Sequence, residues 1–239
     1  QTTPWLTERH GYDPTYIERI ESLQNVLPLK GITTNPSILK KEGEIDFFKH
    51  LRKIRNIIGL EQTLHVQVTA TTAEKMIKEA QAIREGIDPS VYIKIPVTYE
   101  GLKAIKALKK QGVNITATAI YTKLQGFLAI AANADYLAPY YNRMENLGIN
   151  AESVMSSLQK EIERTNSQSK LLGASYKTIE QINGTFDAGA QTITVSPELI
   201  EQLLSSNTIV KAVEDFQEDW KVIHGEKTID DLFHKRHNV

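Results

Sequence analysis

Lys94 stands in the middle of SVYIKIPVT, an apolar, β-branched run of the kind that forms a strand buried on both faces. An unpaired ammonium is costly in such a place, so burial favours the neutral amine and lowers its pKa. A neutral lysine is a nucleophile that can condense with a carbonyl to give a Schiff base. The other reading is a structural lysine paired with a buried carboxylate, and Asp13 is the candidate partner. Alternation along the run puts Tyr92, Lys94 and Pro96 on one face and Val91, Ile93, Ile95 and Val97 on the other.

Further polar residues cluster where apolar runs end. GITTNPSIL carries Thr33, Thr34 and Asn35 ahead of Pro36; HVQVTATT holds Gln67 between valines; NITATAIY holds Thr118. Taken singly, the threonines are ordinary strand formers and Asn35-Pro36 an ordinary turn. Taken together, they put uncharged hydrogen-bonding groups at the ends of several strands, a bias that strand and turn propensity alone does not explain.

Short apolar runs alternate with longer segments of helical period. The predicted strands are Gly11–Asp13, Pro28–Thr33, Leu64–Val68, Val91–Ile95, Asn114–Thr118, Tyr136–Ala138, Lys170–Ala174 and Thr192–Val195. Between them lie amphipathic stretches such as AEKMIKEAQAIRE and GLKAIKALKKQG, the second ending at a glycine. Eight strand–helix units of roughly 25 to 30 residues predict a single (β/α)₈ TIM barrel with an additional C-terminal helix. An open doubly wound sheet is the competing arrangement, disfavoured because no Gly-rich dinucleotide fingerprint is present. The expected organisation is an irregular segment over 1–10, the barrel over 11–205 and a helical tail over 206–239. In that tail Ile209, Val213, Phe216, Trp220 and Ile223 recur three or four apart, for plugging the barrel's bottom or packing on a neighbouring subunit.

Composition narrows the function. The 239 residues are 41% hydrophobic, with 28 Lys plus Arg against 29 Asp plus Glu, so no global field draws nucleic acid or anionic lipid. Lys103, Lys106, Lys109 and Lys110 form a basic helix face without interleaved aromatics, which reads as a solvated surface. The chain has no cysteine, which removes thiolate chemistry and fits a reducing, cytoplasmic setting. Neither a membrane span of roughly 20 apolar residues nor a signal-peptide core is expected. Among the histidines only His234 and His237 have helical spacing, too little for a metal site, and no cofactor motif occurs.

With GITTNPSIL and VYIKIPVT both in view, the chain resembles the transaldolase family, and within it the small fructose-6-phosphate aldolase branch. Gln67 in LHVQVTATT and Tyr140 in LAPYYNRM carry the branch assignment, because true transaldolases tend to have glutamate and phenylalanine there. The resemblance implies a metal-independent class I aldolase with Lys94 as Schiff-base residue and Tyr140 as general acid/base. It further implies that Gln67 and Thr118 hold a catalytic water, that Asp13 and Asn35, beside Thr33, orient sugar hydroxyls, and that Arg143 and Ser175 bind phosphate. A phenol can shuttle a proton through water, and a guanidinium forks onto phosphate oxygens. Asp13 departs from the family pattern: it follows LTERHGY and precedes Pro14, instead of ending a short apolar strand before a threonine.

The implied reaction is reversible cleavage of fructose 6-phosphate to dihydroxyacetone and glyceraldehyde 3-phosphate. A transaldolase passing the three-carbon unit between sugar phosphates is the nearest alternative, and a catalytically silent sugar-phosphate binder the more distant one. The implied assembly is a homo-oligomer, commonly a decamer of two pentameric rings joined through C-terminal helices.

Overall fold

The computed structural model describes residues 16–237. Asp13 and the first predicted strand lie outside the described residues, so the second predicted strand is β1 here. In chain order the elements are α1 (Tyr16–Gln24), β1 (Gly31–Thr33), α2 (Pro36–Leu39) with a 3₁₀ turn (Lys40–Glu42), α3 (Phe47–Ile58), β2 (Thr63–Gln67), α4 (Ala73–Gly86), β3 (Tyr92–Pro96), α5 (Tyr99–Lys110) and β4 (Ile115–Ile120). They continue with α6 (Lys123–Ala131), β5 (Tyr136–Pro139), α7 (Tyr141–Asn146), α8 (Ala151–Arg164), β6 (Lys170–Gly173), α9 (Ile179–Asp187), β7 (Thr192–Ile193), α10 (Pro197–Leu204), α11 (Asn207–His224) and α12 (Ile229–His237).

Among the described residues the strands form one parallel sheet of seven, in the order β1-β2-β3-β4-β5-β6-β7. A flat sheet would hold its first and seventh strands roughly 29 Å apart at the usual spacing. Yet the hydroxyls of Thr33, ending β1, and Thr194, just past β7, are 2.9 Å apart. The sheet is therefore strongly curled, with its two outer strands brought together around a common interior.

Helices cover the outside of the curl. Ile93, Ile95, Ile115, Ala117, Leu64 and Val66 point outward and are buried beneath them together with Ile54, Met76, Ile105 and Leu108. The opposite face of β2, β3 and β4 turns Gln67, Lys94, Thr116 and Thr118 inward. Parallel register sets Lys94 level with Gln67 on one side and with Thr116 on the other.

Strand-to-helix turns follow one chemical rule. Thr98, Thr122 and Thr178 each precede a helix and accept a hydrogen bond from its third backbone N–H, and Thr178 completes a capping box with Gln181. Gly101 is dictated by packing: a Cβ there would collide with the Pro96 carbonyl oxygen, so only glycine lets α5 begin directly against the end of β3. Ala119 adopts a left-handed φ of 54° where the β4–β5 register shifts. This bulge bends the strand immediately after Thr118.

The chain divides into two compact units at Leu199/Ile200. In the second unit, Trp220 donates to the Lys227 carbonyl at 2.7 Å and its ring lies tilted against His224, tying α11 to the turn that precedes α12. Ile209, Val213, Phe216 and Ile223 are exposed, so the apolar stripe of α11 finds no cover within its own unit. No described helix is long and apolar enough to cross a membrane.

Candidate active site

Six of the predicted site residues line one cavity of about 390 Å³ at the carboxyl ends of the strands: Thr33, Asn35, Lys94, Tyr140, Arg143 and Ser175. They come from four different strand ends, brought together by the curl. The volume suits a small ligand of the size of a sugar phosphate.

Lys94 is 5% exposed and its nitrogen donates to the main-chain carbonyl of Thr34 at 2.9 Å. Among the described residues it has no carboxylate partner. Burial alone pushes its pKa down from 10.5 to about 8, which makes the neutral amine accessible near physiological pH. The carbonyl of Thr34 is itself held, since both the backbone N–H and the hydroxyl of Thr34 donate to the His65 carbonyl oxygen, at 2.9 and 3.2 Å.

Tyr140 directly follows β5, and its hydroxyl lies 2.9 Å from Thr118 Oγ1 on β4. Its ring meets Tyr121 edge-on and carries the Arg143 guanidinium over its face at 4.7 Å. Arg143 also donates to the Tyr121 hydroxyl at 3.3 Å. The phenol is thus oriented from two sides, and the guanidinium is steered towards the cavity mouth by aromatic surfaces.

Asn35 performs two tasks. Its Oδ1 caps α2 by accepting from Ile38 N at 2.9 Å, with Pro36 at the first helical position. Asn35 also lines the cavity. Ser175 has a left-handed φ of 64°, a conformation that costs a non-glycine residue about 1 kcal/mol. Its carbonyl accepts from Asn142 N, which locks the β6 turn against α7.

Two predicted residues sit apart from the cavity wall. Thr118 is fully buried behind Tyr140. Gln67, though level with Lys94, lines a second cavity with Pro36, Met76, Pro96 and Tyr99, and its buried Oε1 has no hydrogen-bond partner among the described residues. An unpaired buried carbonyl of this kind is suited to holding a water. Asp13 lies outside the described residues.

Sequence reasoning missed Lys41, Lys177, Asn142, Thr194 and Ser196 on the same wall. Lys41 arrives from the turn after α2 and Lys177 from the turn after β6, and only the assembled cavity reveals their proximity to Arg143. No carboxylate lies among the described lining residues, so the cavity is strongly cationic and suited to an anionic ligand.

The comparisons with known proteins agree with this geometry. A family model described as Transaldolase/Fructose-6-phosphate aldolase matches residues 12–238. A protein of Streptococcus pneumoniae named probable fructose-6-phosphate aldolase is 48% identical over 217 residues, covering 91% of this chain and 98% of its own length. With Lys94 and its polar neighbours gathered at one strand-end cavity, and with similarity running through almost the whole sequence, this chain belongs to the transaldolase/fructose-6-phosphate aldolase family.

Proposed function

We propose that the protein is a class I aldolase that reversibly cleaves fructose 6-phosphate to dihydroxyacetone and glyceraldehyde 3-phosphate. The observation that carries this reading is the Lys94 amine, buried without a described carboxylate partner and facing a cationic cavity.

The neutral Lys94 nitrogen attacks the C2 ketone, and the resulting carbinolamine loses water to form an iminium. Removal of the C4 hydroxyl proton turns that oxygen into a carbonyl as the C3–C4 bond breaks, and the bonding pair flows into the iminium to give an enamine. Glyceraldehyde 3-phosphate departs. Protonation of the enamine at its terminal carbon and hydrolysis release dihydroxyacetone and return the amine. Tyr140 carries the proton by way of a water held by Gln67 and Thr118; the Tyr140–Thr118 contact supports the role of Thr118, and the buried, unpaired oxygen of Gln67, level with Lys94, supports a water at that side chain. Asn35, Thr33 and Asp13 orient sugar hydroxyls, and Arg143 and Ser175 bind the phosphate.

In this reading residues 11–205 form a closed (β/α)₈ barrel. The approach of Thr33 to Thr194 supports such closure, because one strand suffices to bridge the remaining gap. Residues 206–239 act as a tail whose exposed apolar stripe packs on a second copy of the chain, in a decamer of two pentameric rings. The enzyme works in the cytoplasm, in keeping with a chain free of cysteine.

Borohydride reduction in the presence of fructose 6-phosphate tests the reading. A three-carbon adduct mass on the peptide carrying Lys94 is expected; an unmodified peptide, with ligand binding retained, makes the protein a sugar-phosphate binder instead.

A further inference from the structure

His65 is fully buried on the inward face of β2 and takes no part in the mechanism above. Its Nδ1 lies 2.7 Å from Thr116 Oγ1 on β4, and its Nε2 lies 2.9 Å from Thr63 Oγ1. Both ring nitrogens are partnered by hydroxyls, which donate or accept as the tautomer requires. β2 and β4 flank β3 on either side, roughly 10 Å apart at normal strand spacing. A side-chain bond between them must therefore cross the inward face of β3. The imidazole does so over Tyr92, stacked at 4.8 Å with planes 18° apart, and Tyr92 is the residue two before Lys94 on that same face. Tyr136 on β5 closes the arrangement, edge-on to both rings at 5.2 Å. His65 and Tyr92 fill the inward level next below Lys94 with a packed bar of imidazole and phenol, and the bond to Thr116 carries that bar up to the level of Lys94 itself.

We propose that His65 is a positioning residue for Schiff-base formation: clamped to Thr116, its imidazole bars the interior below Lys94, directs the lysine stem towards the cavity and keeps water from reaching the amine from underneath. This inference rests on the aldolase reading. Lys94 occupies the level above the bar, and the strands that the bar ties together carry Gln67, Lys94 and Thr118. The imidazole is neutral throughout the working range, since burial holds its pKa down to about 3, with the cations Lys94 and Arg55 adding to the effect. The titratable groups that face it are Tyr92 and Tyr136 in ring contact, with Lys94 and Arg55 acting through their charge, and no carboxylic acid is among them.

The test is single-turnover borohydride trapping with fructose 6-phosphate as a function of pH, beside steady-state kinetics, on the full chain. His65→Ala is expected to slow trapping at pH 7 about tenfold with KM held, the scale of a modest misplacement of the reacting group. Its trapping midpoint is expected to move up by about one pH unit, because an amine open to water regains part of its ordinary basicity. Thr116→Val removes only the clamp and is expected to lower kcat about threefold, the worth of a neutral hydrogen bond, with Thr116→Ser restoring it. A shape-only role for the ring would leave Thr116→Val and Thr116→Ser alike. Should His65→Ala fail to fold, the Val and Ser pair decides: equal trapping rates and midpoints in the two overturn the proposal. Absence of any adduct in the parent chain would instead overturn the aldolase reading on which this one stands.

Discussion

The Lys94 amine donates to the Thr34 carbonyl oxygen at 2.9 Å, reaching from β3 past β2 to the residue that follows β1. The chemical type of this partner matters. A carboxylate would stabilise the ammonium and hold the proton, whereas a neutral carbonyl satisfies one N–H in either protonation state. The contact aims the nitrogen without suppressing its nucleophilicity, and it leaves desolvation as the force acting on the pKa.

Replacing Lys94 separates chemistry from fold. Lys94→Met should abolish the borohydride adduct and lower kcat by about 10⁴-fold or more, as loss of a covalent nucleophile does. Thermal stability should hold or rise, because an apolar chain of similar length avoids burying a charge. Mass spectrometry and a thermal melt check both halves; a marked drop in melting temperature would assign Lys94 a structural role.

Activity limited by imine formation should rise through a midpoint near pH 8, where Lys94 loses its proton. Stability has the same sign over a defined window. Between about pH 8 and 10.5 the unfolded chain keeps a proton on this lysine that the folded chain has lost, so folding becomes more favourable as pH rises. The total gain is about 3 kcal/mol, and below the window the cost of holding the charge is constant. Denaturant titrations at pH 8 and 10 should show most of this gain, about 2 kcal/mol, in the parent and not in Lys94→Met.

Tyr140→Phe should lower cleavage of fructose 6-phosphate about 10²- to 10³-fold, the usual worth of a positioned acid/base. Transfer of the three-carbon unit to erythrose 4-phosphate should fall less, so that the ratio shifts towards a transaldolase. Thr118→Val, which removes the partner of the phenol, should move the ratio in the same direction by a smaller step. Side-by-side assays decide, and an unchanged ratio would remove Tyr140 from proton transfer.

Arg143→Ala should raise KM for fructose 6-phosphate roughly 10- to 100-fold, the value of a hydrogen bond to a charged group. Lys41→Ala should act in the same direction but only a few-fold, and the effect should fade with added salt, since Lys41 is exposed. Trapping with hydroxyacetone, which carries no phosphate, should be unaffected in both. Loss of hydroxyacetone trapping would show that these cations shape the cavity instead of reading the phosphate.

Local chemistry made much of this protein legible from its sequence alone. Runs such as YIKIP announced seven of the described strands within a few residues, the alternation in that run put Lys94 on the inner face, and the Gly112 stop of α5 was readable, because propensity and side-chain period act over a handful of neighbours. The gathering of Thr33, Asn35, Tyr140, Arg143 and Ser175 was legible only through resemblance, since strand order and curl are collective outcomes of packing. Only the tertiary structure decided that Thr34 offers its carbonyl to Lys94, that Gln67 lines a second cavity, that Lys41 and Arg143 line the same one, and that His65 reaches across β3 to Thr116. Each of these depends on register between strands far apart in the chain, where a shift of one residue would reverse every inward side chain.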